Sequence, residues 1–300
     1  MKRFRIYPTI GVVFLATAIS QCFAGSKISL PLQLKQSSKA EIEYRLVKEK
    51  NGTSREARII GALEILLLTN DGFKASWTTE SVEVGGVVYG RSSRLAASLL
   101  LGIPIRFIGN KDGLPINLYD RELLIKSITK NEVFSKLDAA AVKKTVNFLV
   151  GLTDEVAAQL FLKVPSYISI CQGTNLEEGV LQESREQLPN PLGNAAIDSD
   201  VTYKLSAMDN ESNTATIEYR SRFNPESLKT TVEHMMAKLA SDVKKSTKEI
   251  DAFVLSRRDT ADCIVDTNTG SVKTMTYSTE IKVAEKSQSE RYEISVQWRE

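Results

Sequence analysis

Arg291-Tyr292-Glu293-Ile294-Ser295-Val296-Gln297-Trp298 alternates polar and apolar side chains without a break. Successive strand residues point to opposite faces, so Tyr292, Ile294, Val296 and Trp298 make one face and the polar four the other. A half-buried antiparallel strand follows. The same period recurs in Ile42/Tyr44/Leu46, Val201/Tyr203/Leu205/Ala207, Ala215/Ile217/Tyr219/Ser221/Phe223 and Met275/Tyr277/Thr279/Ile281/Val283. Residues 57–69 become continuously apolar around Ile65-Leu66-Leu67-Leu68, which predicts a central strand covered on both faces.

Between these runs lie Asn51-Gly52, Asn70-Asp71-Gly72, Asn110-Lys111-Asp112-Gly113, Asp209-Asn210 and Asn268-Thr269-Gly270. Asn, Asp and Gly accept the positive φ of tight hairpin turns, so the strands should run as antiparallel meanders. Helical spacing is confined to two regions. Asp120 is placed to cap a helix through Ile128, residues 131–150 carry Phe134, Leu137, Val142, Val146 and Leu149, and Thr153 caps a piece that stops before Pro165. The second region opens with Asn224-Pro225-Glu226, an N-cap, a proline at the first position and an early acid, and continues through Leu228, Val232, Met235, Leu239 and Val243.

The fold class expected is α+β: antiparallel meander sheets in two lobes, each with amphipathic helices packed on a sheet face. Breakers in Leu188-Pro189-Asn190-Pro191-Leu192-Gly193 divide the chain into an N-terminal strand-plus-helix lobe (25–186), a linker (187–199) and a C-terminal strand-helix-strand lobe (200–300). This order of elements resembles the half-barrels of periplasmic lipoprotein carriers, in element order alone and without a shared motif. The resemblance implies a sheet curved around a helix, with an apolar cavity between them.

Residues 1–24 read as a cleavable signal peptide: basic Lys2, Arg3 and Arg5, an apolar run from Ile10 to Ile19, and small Ala24 before Gly25, the expected cleavage point. Ile19-Ser20-Gln21-Cys22 has the outline of a lipidation site, but Gln21 stands where a very small residue belongs. No later run is apolar enough for a bilayer span. The compact basic start points to bacterial export, and so to a periplasmic or secreted protein.

Cleavage leaves 276 residues and removes three of 39 basic and none of 37 acidic residues, so the mature chain carries a net charge of −1. Without a basic stripe it has no electrostatic footprint for nucleic acid. Two cysteines remain, Cys171 and Cys263, each in apolar, strand-like surroundings, and an oxidising compartment makes them a candidate disulfide.

Motifs for chemistry fall short one by one. His234 is the only histidine and lies on a helix flank. Ser127/Lys130 and Ser241/Lys244 have Ser-x-x-Lys spacing without the partner motifs of penicillin-recognising enzymes. Asp266-Thr267-Asn268-Thr269-Gly270 opens like a calcium loop, but Ser271 and Tyr277 stand where a glycine and a bidentate Glu are required, and the stretch reads as a hairpin turn. Gly85-Gly86-Val87-Val88-Tyr89-Gly90 lacks the Lys-Ser/Thr of a phosphate loop and reads as a bend or bulge. Neither a catalytic residue, nor a metal set, nor a cofactor motif emerges. The expectation is an exported non-enzymatic protein that binds an apolar small molecule, a lipid or an envelope protein on a concave sheet. A structural or assembly component of the envelope is the first alternative. A carboxylate-based hydrolase, using acids such as Glu41/Glu43 or Glu80/Asp120, is the second.

Overall fold

The computed structural model describes residues 27–91, 99–131, 134, 138–188, 196–230, 255–283 and 286–299. In chain order the strands are β1 (Lys27–Ser29), β2 (Lys39–Lys50), β3 (Thr53–Thr69), β4 (Gly72–Val84), β5 (Val87–Val88), β6 (Ile105–Asn110), β7 (Pro115–Leu118), β8 (Asn175–Glu177), β9 (Leu181–Leu188), β10 (Ile197–Asp209), β11 (Thr214–Phe223), β12 (Leu255–Asp266), β13 (Val272–Val283) and β14 (Lys286–Arg299). Helices α1 (Arg121–Thr129), α2 (Ala139–Gly151), α3 (Asp154–Phe161) and α4 (Lys163–Ile168), then a 3-10 turn Ser169–Cys171, fall between β7 and β8. Residues 225–230 are also helical, and Asn224 caps them by accepting from the amides of Glu226 and Ser227 at 2.9 and 3.1 Å.

The structure is mostly antiparallel sheet. One 12-stranded sheet runs β7-β6-β4-β3-β2-β14-β13-β12-β11-β10-β9, with β5 paired to β4, and β1 and β8 form a separate two-stranded ribbon. All five turn sequences fall between consecutive paired strands. At Asn51-Gly52 both residues take positive φ, 51° and 76°, as a two-residue hairpin between right-twisted strands demands. Gly85 and Gly86 do the same, closing the β4–β5 hairpin.

Strands from the two expected lobes belong to a single sheet. β14 pairs along the whole length of β2, from Gln288 opposite Lys50 to Arg299 opposite Lys39. The cause is that β14 has an apolar face and two unsatisfied backbone edges, and the N-terminal β2 supplies the second edge. Of the expected linker, Gln187 and Leu188 end β9, Ile197 to Ser199 open β10, and 189–195 lie outside the described residues.

The alternation holds where it was clearest. Tyr292, Ile294 and Val296 are buried, as are Ala215, Ile217, Tyr219, Ser221 and Phe223. A bulge between Leu205 and Ala207 turns Ala207 outwards, which local periodicity alone could not reveal. The end of β3 is a correction, because Leu66, Leu67 and Leu68 are 36–42% exposed and not covered on both faces. Asp120 is another. It adopts a left-handed conformation with no side-chain cap bond, its carboxylate being held by Arg106 at 2.9 Å, whereas Thr153 does cap α3 by accepting from the Val156 amide. Cys171 follows a helix and not a strand: α4 was hidden because Pro165 sits in its first turn, where no intrahelical N–H is needed.

The signal-peptide reading of residues 1–24, the Ala24/Gly25 cleavage point, Cys22, His234, Ser241/Lys244 and the helix beyond Thr230 lie outside the described residues. Among the described residues no helix is long and apolar enough to cross a membrane.

Candidate functional site

Register turns the strand alternation into lateral rows on the inner face of the sheet. Ser221, Asp259, Thr279, Glu290 and Lys48 stand opposite one another on β11, β12, β13, β14 and β2. The next row holds Tyr203, Tyr219, Ala261, Tyr277, Tyr292 and Leu46, and the one after it Leu205, Ile217, Cys263, Met275 and Ile294. The inner face is therefore banded across at least five strands: a polar row, a tyrosine row, then aliphatic rows.

The charged members of the polar row are matched, while the hydroxyls of Ser221 and Thr279 are buried without a hydrogen-bond partner. Glu290 accepts from Lys48 and Lys163, each at 2.7 Å, and from the Tyr292 hydroxyl at 3.0 Å. Burial alone would raise its carboxyl, but the two lysines outweigh burial and lower it to about 2. Arg257 grips Asp259 in a two-point bond of 3.0 and 2.9 Å, with its guanidinium 4.7 Å from the centre of the Phe223 ring. Lys163 comes from α4, as does Tyr167, whose ring stacks on Tyr277 with centroids 3.8 Å apart. Burial raises the hydroxyls of Tyr167, Tyr277 and Tyr292 above their ordinary value, so the row stays uncharged at physiological pH.

At the aliphatic end a cavity of about 20 Å³, room for one water, lies under α4. Pro165 and Ile168 of α4 line it together with Ile42, Ile65, Phe107 and Trp298 of the sheet. In a flat sheet the four steps from β6 to β14 would part Phe107 from Trp298 by about 19 Å. Both line one water-sized space, so the sheet curves and this face is its concave side. The Trp298 indole N–H is buried without a hydrogen-bond partner, and the mostly apolar lining also includes the polar side chain of Gln172.

Cys171 and Cys263 meet behind α4. Both are fully buried, with Cα atoms 6.5 Å apart and sulfurs 2.00 Å apart, disulfide distance. The approach joins the end of the helical segment to β12 across 92 residues of chain.

The remaining candidate residues do not converge. Glu43 is bound by Arg58 at 2.6 Å and Glu41 by Arg299 at 2.6 Å, while Asp120 is paired with Arg106 and Glu80 is exposed. The buried carboxylates Asp259 and Glu290 each face cations, and a carboxyl held near 2 is a poor proton donor at neutral pH. Ser127 donates its hydroxyl proton to the Leu123 carbonyl at 2.8 Å and not to Lys130. Asp266 folds its own turn by accepting from the amides of Asn268 and Thr269 and pairs with Lys273, the work of a hairpin residue. Among the described residues no cluster of three His, Cys, Asp or Glu side chains could hold a metal ion.

The tyrosine row escaped the sequence reading because it crosses six strands, and the Glu290 cluster because it draws on β2, β14 and α4. Aligning the strands by their hairpin turns is the one signal that could have found them. The chain matches no family model and no curated protein.

Proposed function

We propose that this is an exported, non-enzymatic binding protein whose concave sheet face receives an apolar ligand beneath the helical segment 139–171. The observation that carries the reading is the aliphatic end of the concave face, where Trp298, whose N–H is buried without a hydrogen-bond partner, lines a mostly apolar cavity that α4 covers together with Leu32, Leu34 and Gln172. Such a surface suits an alkyl or aryl chain with a single hydrogen-bond acceptor. The space as it stands holds one water, so uptake requires α4 to lift, with Tyr167 leaving Tyr277 and Lys163 leaving Glu290. Export rests on the leader-like first 24 residues, and the buried cysteine pair at disulfide distance suits an oxidising compartment.

Uptake of the apolar dye N-phenylnaphthylamine, followed by fluorescence, tests the reading. Enhancement is expected with the wild type and should fall several-fold in Leu34→Trp, which fills the cavity from its rim. Equal enhancement in both proteins, or none in either, sinks the ligand reading. A partner polypeptide is the second reading, favoured by Leu123, Phe148, Val150 and Leu160, all more than half exposed on α1 to α3. Crosslinking in the exported state, with Phe148→Ser as control, tests it: an adduct lost in the variant supports a partner, and an unchanged pattern removes it.

A further inference from the structure

A second concavity, away from the covered sheet face, lies between the C-terminal end of α1 and the segment leading into β6. Its volume is about 520 Å³, within the range of small-molecule sites. Arg91 and Lys130 line it, with Ser127 and Asn131 beside them and Leu101 and Pro104 forming an apolar wall. Among the described residues no carboxylate lines it and neither cation makes an ion pair, although many lysines and arginines of this chain do.

Arg91 is also held in place. One of its N–H groups donates to the Gly102 carbonyl at 3.2 Å, and Gly102 has positive φ (66°) with no room for a Cβ against the guanidinium. A guanidinium has five N–H donors, so one bond to a carbonyl leaves most of the fork for an anion. The Lys130 ammonium adds a second charge at the C-terminal end of α1, where the helix dipole favours a cation.

We propose that this groove binds an anionic amphiphile, a phosphate or carboxylate joined to an apolar chain. The anionic group sits between Arg91 and Lys130, and the chain lies along Leu101 and Pro104. The net charge is +2 for the whole chain and −1 without the leader-like residues 1–24, so no strong general field draws anions to the protein, and this local pair does so by itself. Binding here is independent of the covered cavity and can coexist with a ligand there.

Calorimetric titration with decyl phosphate, inorganic phosphate and decanol tests the assignment. Decyl phosphate should bind more tightly than either fragment. Arg91→Gln/Lys130→Gln should weaken it at least about tenfold, a charge-assisted hydrogen bond being worth about one decade. Raising ionic strength should weaken it in the wild type, a reading that needs no variant to fold. Naphthylamine uptake should survive the double substitution, which separates this site from the covered cavity. Sedimentation with phosphatidylglycerol vesicles but not phosphatidylcholine vesicles would make the source a lipid headgroup. Decyl phosphate binding without sedimentation would make it a free amphiphile. Failure of decyl phosphate to bind, decanol binding as tightly, or indifference to both salt and the double substitution overturns the proposal.

Discussion

Glu290 is a single acid on which the polar row and α4 both depend, since it takes bonds from Lys48 of β2, Lys163 of α4 and its own strand neighbour Tyr292. Its folded carboxyl titrates near 2, below the ordinary 4.5. A depressed acid contributes stability that is fully present above the unfolded value and is lost as pH falls through the folded one. Stability should therefore fall between about pH 4.5 and 2, and Glu290→Gln should flatten that limb in a urea titration repeated across pH. At neutral pH the same substitution should cost about 1–2 kcal/mol, discounted because both lysine side chains remain 44% exposed. Gly61 offers a steric test, for an added Cβ would overlap the Trp77 ring. Gly61→Ala should destabilise by about 1–3 kcal/mol, and Trp77→Phe in the same chain should return part of the loss; additive effects would show that the two do not touch. These contacts were illegible in the sequence. Lys48 and Glu290 are 242 residues apart, and no local pattern distinguishes a glutamate facing two lysines from one facing water.

Turns were the most legible elements and α4 the least. Asn51-Gly52 and Asn268-Thr269-Gly270 could be read because positive φ restricts the residue types that can serve, a restriction local to two or three positions. Gly270, with φ of 66°, also lies where a Cβ would strike the carbonyls of Leu30 and Pro31, part of a segment whose Gln33 amide donates to Thr269 at 2.8 Å. Helix α4 carries Pro165 and only six residues, too few for helical periodicity to register, and its placement comes from contacts on both sides. One is the aromatic stack of Tyr167 on Tyr277, and the other is the approach of Cys171 to Cys263. If the pair is bonded, closing a 92-residue span stabilises by restricting the unfolded chain, and Cys171→Ala/Cys263→Ala should lower stability by about 2–5 kcal/mol. Thiol titration of the unfolded, non-reduced protein checks the premise: two free thiols would remove both the bond and the predicted loss.

At the scale of the molecule the decisive pairing is β14 with β2, because it joins strands from opposite ends of the chain in the middle of the sheet. Strand identity was legible from alternation, but this partnership was not: hairpin turns specify neighbours in sequence, and nothing in a turn indicates that the first long strand will receive the last. The joint has a thermodynamic consequence. Tyr44, Tyr292 and Tyr277 carry one packed cluster across it, and that cluster runs from Phe107 on β6 to Val201 on β10. Unfolding either side would expose the inner rows of the other and strip one edge of β2 or β14 of its hydrogen bonds, so neither side keeps a complete core alone. The sheet should therefore open as one cooperative unit despite its size, with peptides from β3–β4 and from β10–β11 losing hydrogen-exchange protection at the same denaturant concentration. Two separated transitions would show instead that the halves are independent folding units and that the β2–β14 pairing is a contact between them. Substituting proline for Ile294, which lies opposite Tyr44 on β2 and Met275 on β13, supplies the converse test. Its ring removes a ladder donor from a strand paired on both edges, and protection should fall together in β3–β4 and β10–β11, not only in the two neighbours of β14.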